Sequence, residues 1–429
     1  MAGAQSSGGR SAMQFFGRAA GRIARGLAKG GSTPTRLRAW MITTAIVAVL
    51  FGLLGALGVG RRDASLGAAT DAAEQLIAVQ NVQVSLVHAD ALASENYLRG
   101  GTEDAGKRAL YVQELQSVSN GLVSVGNRVL VHEADRLAEV SAQLGEYSGL
   151  IEQARANNRQ GYPVGAAYLR AANSSAVAMV VILRDVQTSL RHQVNDNLDR
   201  ADKAGAWMHL IGWPLLLLLI IGGGWVAFRF RRLLNVPLAA AGTLTLLLLV
   251  VGGSIQSSSM TDAEAATATS LQVADLASQA RSAAFDAHTQ ESLALIYRGN
   301  GAANEAKWQQ ASADVALALG RLCGLSGACS LTDLYEQYSV SYTEIRRLDN
   351  DAGDWNEAVT ASLGEGSAVF ERFSADSKEV ADQNTAAAIT DLGSSADGLS
   401  ALRVVVFLAG LAVAALALTG YGQRLREYR

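Results

Sequence analysis

The chain has 429 residues, 49% of them hydrophobic, with 43 Gly and only 4 Pro, a mixture that suits helices in small-residue contact and argues against a β-rich fold. Its 5 His and 2 Cys are too few and too scattered to assemble a metal-ligand cluster by local spacing, and no nucleophile motif, phosphate loop or paired acid site stands out, so neither an enzyme nor a cofactor is expected. The net charge of -3 speaks for no nucleic-acid partner and conceals a strong segregation of charge along the chain.

The first segment, residues 1–38, carries Arg10, Arg18, Arg22, Arg25, Lys29, Arg36 and Arg38 and no acid. Met13, Phe16, Ala20, Ile23 and Leu27 recur at helical spacing with Arg18, Arg22, Arg25 and Lys29 between them. Two readings stay open: an amphipathic helix on anionic lipids, or a basic tail whose charges only set topology. Residues 39–60 then form an apolar run free of Asp, Glu, Lys and Arg, long enough to span a bilayer, which needs about 20 such residues. It reads as a retained anchor rather than a signal peptide, for lack of a small-residue cleavage site before Arg61 and Arg62. Three more spans follow at 207–228, 236–254 and 403–421, free of acidic and basic residues apart from Arg403 at the start of the last.

Orientation follows from the basic residues beside these spans. The link 229–235 holds Arg229, Arg231 and Arg232, and the tail 422–429 holds Arg424, Arg426 and Arg429 against Glu427. These segments and the N-terminal tail are expected in the cytoplasm. Both termini are then cytoplasmic in a multi-pass protein of the plasma membrane. Segments 61–206 and 255–402 are expected outside, the second far more acidic than the first. The cytoplasmic pieces are shorter than the roughly 50 residues that a small domain needs, so any output must pass through a separate protein.

Between spans one and two the apolar positions Met179, Leu183, Val186, Leu190, Val194, Leu198 and Ala201 recur every three or four residues, the period of a half-buried helix. No break separates this stripe from span two, so the helix is expected to enter the membrane. The first outer helix should leave span one and run to Gly100-Gly101, a length of roughly 57 Å. Breaks at Gly121–Gly126 and Asn157–Pro163 divide the segment into four helices. In the second segment breaks are expected near Cys323–Cys329 and around Asp351–Gly366. A shift of about 199 residues superposes span one on span three and places Tyr97-Leu98-Arg99-Gly100-Gly101 on Ile296-Tyr297-Arg298-Gly299-Asn300, which suggests an internal duplication. The fold class expected is therefore all-α, with four transmembrane helices and two tandem extracytoplasmic four-helix bundles.

Cys323 and Cys329, six apart around a Gly-rich turn on the oxidising side, are expected to form a structural disulfide. Arg99, Gly100, Gly101, Arg298, Gly299 and Asn300 sit at the membrane-distal turns and are the candidates for docking a ligand or partner. An Arg beside a Gly turn suits a carboxylate, and equally suits a solvated helix end. Arg18, Arg22, Arg25, Lys29, Arg229, Arg231 and Arg232 are the candidates for a cytoplasmic partner or lipid. Small residues in the spans, Gly52 and Ala56 in the first and Gly410 and Ala414 in the fourth, would let helices approach closely. A channel or transporter would need ionisable or polar side chains within the spans, where only Thr43, Thr44, Thr243 and Thr245 are available.

The outer segments resemble the four-helix-bundle sensor modules of bacterial chemoreceptors and histidine kinases. The doubled span-bundle-span plan and the Tyr97–Gly101 and Tyr297–Gly301 segments resemble, more specifically, the GlnX-type membrane proteins of actinobacteria. That resemblance implies a non-enzymatic adaptor linking an amino-acid-binding extracytoplasmic lipoprotein (GlnH) to a cytoplasmic Ser/Thr kinase (PknG). The alternatives are a sensor that binds a small ligand directly in its outer bundles, and a structural protein of the envelope. A homodimer is compatible with either sensor reading.

Overall fold

The computed structural model describes residues 33–426 except 102, 127–130, 231–234, 299 and 352. The described residues are all-helical, with no strand among them. In chain order the helices are α1 (Thr33–Leu98), α2 (Ala105–Gly126), α3 (Val131–Arg159), α4 (Val164–Phe230) and α5 (Val236–Ala266). They continue with α6 (Gln272–Ile296), α7 (Ala302–Ser326), α8 (Ser330–Arg346), α9 (Trp355–Ala361), α10 (Ser367–Ser394) and α11 (Leu399–Arg426). Single π-helical turns fill Thr267–Leu271, Arg347–Asp351 and Ser362–Gly366.

The break expected at Gly121–Gly126 is not within that stretch, since α2 runs unbroken to Gly126, but other expected breaks have identifiable causes. Gly100, Gly161, Gly327 and Gly353 all take positive φ, the conformation that ends a helix and that only glycine adopts without strain. At Gly327 the N–H closes back on the Cys323 carbonyl at 2.9 Å, and Cys323 and Cys329 are joined as a disulfide with Cα atoms 4.6 Å apart. Asp354 caps α9 by accepting from the Glu357 N–H at 3.1 Å. The expected continuity from the polar stripe into the second apolar run holds, since α4 runs unbroken through Pro214. One break was not expected: α10 and α11 are separated by a turn in which Gly398 has φ +81°. Replacing Cys323 and Cys329 by Ser should lower stability by about 2 kcal/mol, the loop-closure value for so short a ring. Thermal unfolding with and without reductant checks this: reductant should shift the wild type alone.

Two compact units make up the chain. Of the described residues, one unit comprises those in 33–65, 199–261 and 396–426, and the other those in 66–198 and 262–395. Four helices are long and apolar enough to cross a membrane, which marks a membrane protein, and their apolar portions form the first unit. Its packing depends on small residues. A Cβ on Gly52 of α1 would lie 3.0 Å from the Gly410 Cα of α11, and one on Gly58 would lie 3.0 Å from the Ala204 carbonyl oxygen of α4. The Asn235 amide donates to the Gly420 carbonyl at 2.9 Å. Ile42, Ile46, Val49, Leu53 and Leu57 are exposed along one stripe of α1, and exposed contiguous apolar surface of this kind suits lipid.

The second unit gathers both polar segments, and this is where the structure departs from two tandem bundles. A single hydrophobic cluster runs from Leu76, Val79 and Leu86 of α1 through Tyr147 of α3 and Met179 of α4. It continues into Phe285 of α6, Trp308 of α7, Tyr338 of α8 and Phe373 of α10. The apolar faces of the two segments are thus closed by each other as well as within themselves.

Candidate functional site

The inner faces of α1 and α6 are unusually polar for a core. Asp90, Ser94, Glu95 and Asn96 of α1 are buried, as is the run His288, Thr289, Gln290, Glu291 and Ser292 of α6. A buried polar group must find a partner or carry a desolvation cost of about 1–3 kcal/mol, and most of these do.

Two carboxyls each tie an inner helix to the rest of its own segment. Asp90 accepts from Tyr147 Oη at 3.1 Å and Asn173 Nδ2 at 2.7 Å, joining α1 to α3 and α4. Glu291 accepts from Tyr338 Oη at 2.7 Å and Ser362 Oγ at 2.5 Å, joining α6 to α8 and the turn before α10. Burial pushes Asp90 up to about 6, opposed by the Asn173 and Tyr147 bonds and reinforced by Asp286. Burial, and then the neighbouring carboxyl, hold Tyr147 and Tyr338 well above 10, so both phenols stay protonated and donate. Tyr338→Phe should therefore cost about 2 kcal/mol by removing a donor from a buried carboxyl. Tyr342→Phe should be neutral or stabilising, because the Tyr342 hydroxyl is buried without a partner. Chemical or thermal unfolding of the two variants side by side distinguishes them.

A third cluster joins the two segments. Glu95 of α1 receives Arg99 Nη2 at 2.9 Å and Lys107 Nζ at 2.7 Å. Lys107, at the start of α2, also reaches Ser367 Oγ at 3.0 Å and Glu371 Oε1 at 2.9 Å on α10. His288 Nε2 lies 3.9 Å from Glu95 Oε2. Burial works against the Glu95 charge, but His288 and Lys107 outweigh it and hold the carboxyl well below the usual range. Closer to the N-terminal end of α1, Gln83 donates to Ser282 at 2.8 Å and accepts from Gln187 at 2.9 Å.

Beside this cluster opens a cavity of about 340 Å³. Its lining comes from one face of each of four helices: His88, Leu92 and Glu95 of α1, Lys107 and Leu110 of α2, Arg281, Phe285 and His288 of α6, and Phe370, Glu371 and Lys378 of α10, among others. The His88 ring stacks on Phe285 at 4.3 Å and the His288 ring on Phe370 at 4.4 Å. His288 is only 3% exposed, and its Nδ1 has no hydrogen-bond partner. Arg281 Nε is likewise buried and unpartnered. Burial pushes Arg281 below the usual arginine value, offset in part by Glu114 and Asp382. Among the described residues no group of three or more His, Cys, Asp and Glu is placed to hold a metal ion.

The candidates from the sequence fall elsewhere. Arg99 is spent on Glu95, and Gly100 turns the chain at φ +78°, with Gly101 exposed beside it. Arg298 takes φ +21° and lays its guanidinium over the Trp355 ring, 3.6 Å from the centroid. The Asn300 N–H closes a turn on the Tyr297 carbonyl at 3.1 Å, and Arg229 is exposed in the last turn of α4. Gly299, Arg18, Arg22, Arg25, Lys29, Arg231 and Arg232 lie outside the described residues. Glu95, Lys107 and His288 were not anticipated. The run His288–Ser292 was the available signal: five successive polar residues span more than one helical turn, so a helix with any buried face must bury some of them.

With this geometry in view, residues 65–202 match a family described as an actinobacterial sensor domain. The match spans the polar part of α1, all of α2 and α3, and α4 as far as the start of its apolar part. It supports a sensing or signalling role. No curated protein and no solved structure matches the chain.

Proposed function

We propose that the chain is a non-enzymatic transmembrane sensor and signalling adaptor: its polar unit lies outside the plasma membrane, and the change it registers is relayed to a separate cytoplasmic effector. One observation carries this reading. The two helices that bound the sensor-domain match, α1 and α4, are also two of the four helices apolar enough to span a membrane. A shift of either helix within the polar core would travel along the same continuous helix, and shifts of about 1–2 Å are the usual scale of such signals.

The order of elements also favours an internal duplication. α1, α2, α3 and α4 are followed by α5–α6, α7, α8 and α9–α11 in the same sequence of long, short, short and long stretches. Asp90 with Tyr147 and Asn173 has a counterpart in Glu291 with Tyr338 and Ser362. Partners of the class implied by the GlnX-type resemblance, a solute-binding lipoprotein outside and a Ser/Thr kinase inside, fit this plan. Anionic lipids suit the basic N-terminal tail.

Cross-linking in native membranes followed by mass spectrometry tests the proposal, comparing the wild type with Arg298→Glu, whose side chain is exposed at a distal turn. Recovery of a solute-binding lipoprotein and a kinase, with the lipoprotein lost in the variant, is the expected result. Recovery of envelope-assembly proteins alone would sink the relay and favour a structural role. The cavity beside His288 favours a second reading, in which the polar unit binds a small ligand directly.

A further inference from the structure

We infer that the cavity between α1, α2, α6 and α10 is a binding site for a small carboxylate with an apolar body, held at its carboxylate by Arg281 and along its body by the apolar wall that includes Phe285 and Phe370. The inference rests on the direct-sensor reading and deepens it by naming the site and the ligand chemistry.

An unsatisfied donor sets the recognition. A buried donor without an acceptor is costly, and the α6 face of the cavity leaves one, Arg281 Nε, whereas the His288 ring lies between the carboxylates of Glu95 and Glu291, 3.9 Å and 4.0 Å from its two nitrogens. Positions 281, 285 and 288 are spaced i, i+4 and i+7 and therefore stand in line along the helix. A guanidinium presents its donors in a planar fork that matches a carboxylate. His288 is packed on the Phe370 ring and held near Glu95, so it cannot turn away to find water without breaking the stack.

The rest of the lining sets the body. The remaining wall is mainly apolar and aromatic, from Leu92, Leu110, Phe285 and Phe370, and the volume of about 340 Å³ sits at the small end of the roughly 300–1,000 Å³ usual for small-molecule sites. His88 stacks face to face on Phe285 and His288 on Phe370, while Phe285 and Phe370 meet edge to face, which fixes the rings that wall the guest. Lys107 is already committed to Glu95, Ser367 and Glu371, so it closes the floor of the site rather than taking the ligand. Because the lining comes from both polar segments, a guest here bridges α1 and α2 with α6 and α10.

The test uses the full chain in lipid nanodiscs and reads the thermal midpoint and saturation-transfer NMR against phenylacetate, benzoate and 4-hydroxyphenylacetate, with phenylacetamide as the neutral isostere. At least one acid should bind saturably and raise the midpoint, as mass action requires of any ligand specific to the folded state, while the amide binds at least roughly tenfold more weakly. Arg281→Gln should weaken the acid by roughly tenfold or more and leave the amide little changed. Phe285→Leu is the second variant and should weaken both probes. No saturable binding by any of the three acids, or binding indifferent to Arg281→Gln, overturns the inference. Binding that depends on Arg281 without any change in the cross-linked cytoplasmic partners would leave the site standing and overturn the relay instead.

Discussion

Gly410→Ala should destabilise the membrane unit by about 2–3 kcal/mol, although alanine is the better helix former by about 1 kcal/mol. A Cβ at Gly410 would lie 2.7 Å from the Gly52 nitrogen and 3.0 Å from the Ala48 carbonyl oxygen. Those are backbone atoms of α1, so no side-chain rotation relieves the clash, and the helices must separate. Overpacking of this kind costs about 1–3 kcal/mol where the surroundings resist. In a bilayer the loss matters more, because helix association there depends on close van der Waals contact rather than on hydrophobic exclusion. Gly223→Ala is the matched control: nothing lies within 4 Å of a Cβ at that position, so the same methyl should be neutral or stabilising. Thermal unfolding of both variants in nanodiscs decides the matter. Equal tolerance of the two substitutions would mean that α1 and α11 do not meet at Gly52 and Gly410.

Gly52 and Gly410 were visible in the sequence as places where helices could approach closely, because such approach leaves few residue types to choose from, but nothing local paired the two. The spans, the disulfide turn and the glycine breaks were legible for similar reasons: each rests on a local requirement, whether a length of apolar chain, two cysteines across a turn or a residue free to take positive φ. What a single sequence does not carry is which apolar stripe meets which. α1 and α6 each show a face that a helix within its own segment can cover, and nothing local says that Gln83 will reach Ser282 or that Lys107 will reach Glu371. The joining of two expected bundles into one polar unit is a long-range event of this type. The same reasoning explains why Arg99 and Arg298 were conspicuous at the turns while the groups facing the cavity were not. A turn arginine is visible beside its glycine, whereas His288 and Arg281 acquire meaning only once α10 and α1 stand opposite them. The break at Gly398 went unseen because Ser394-Ser395-Ala396-Asp397-Gly398 reads equally well as a continuing polar helix face.

Asp90 should make the stability of the polar unit fall as pH rises, which is the reverse of ordinary acid denaturation. Its carboxyl titrates near 6 in the folded chain against 3.8 for the free group. A raised acid pKa means that the folded state binds the proton more tightly, so the favourable contribution is complete below about pH 4 and is lost as pH rises through about 6. The difference corresponds to about 3 kcal/mol at 1.36 kcal/mol per unit. Asp90→Asn removes the titration while keeping the shape, so the stability of the variant relative to the wild type should climb by about 3 kcal/mol between about pH 4 and pH 7. Glu95 works in the opposite direction: its lowered carboxyl stabilises above the unfolded value, and that contribution is lost as pH falls. It is present in both proteins and cancels in the difference. Asp286 is also raised by burial and stands close enough to push Asp90 further, so Asp286→Asn should bring the Asp90 transition to lower pH. Denaturant unfolding across that range measures all three. A difference between wild type and Asp90→Asn that stays flat with pH would show that the carboxyl between Tyr147 and Asn173 is solvated rather than buried, and would remove the main polar tie that holds α1 to α3 and α4.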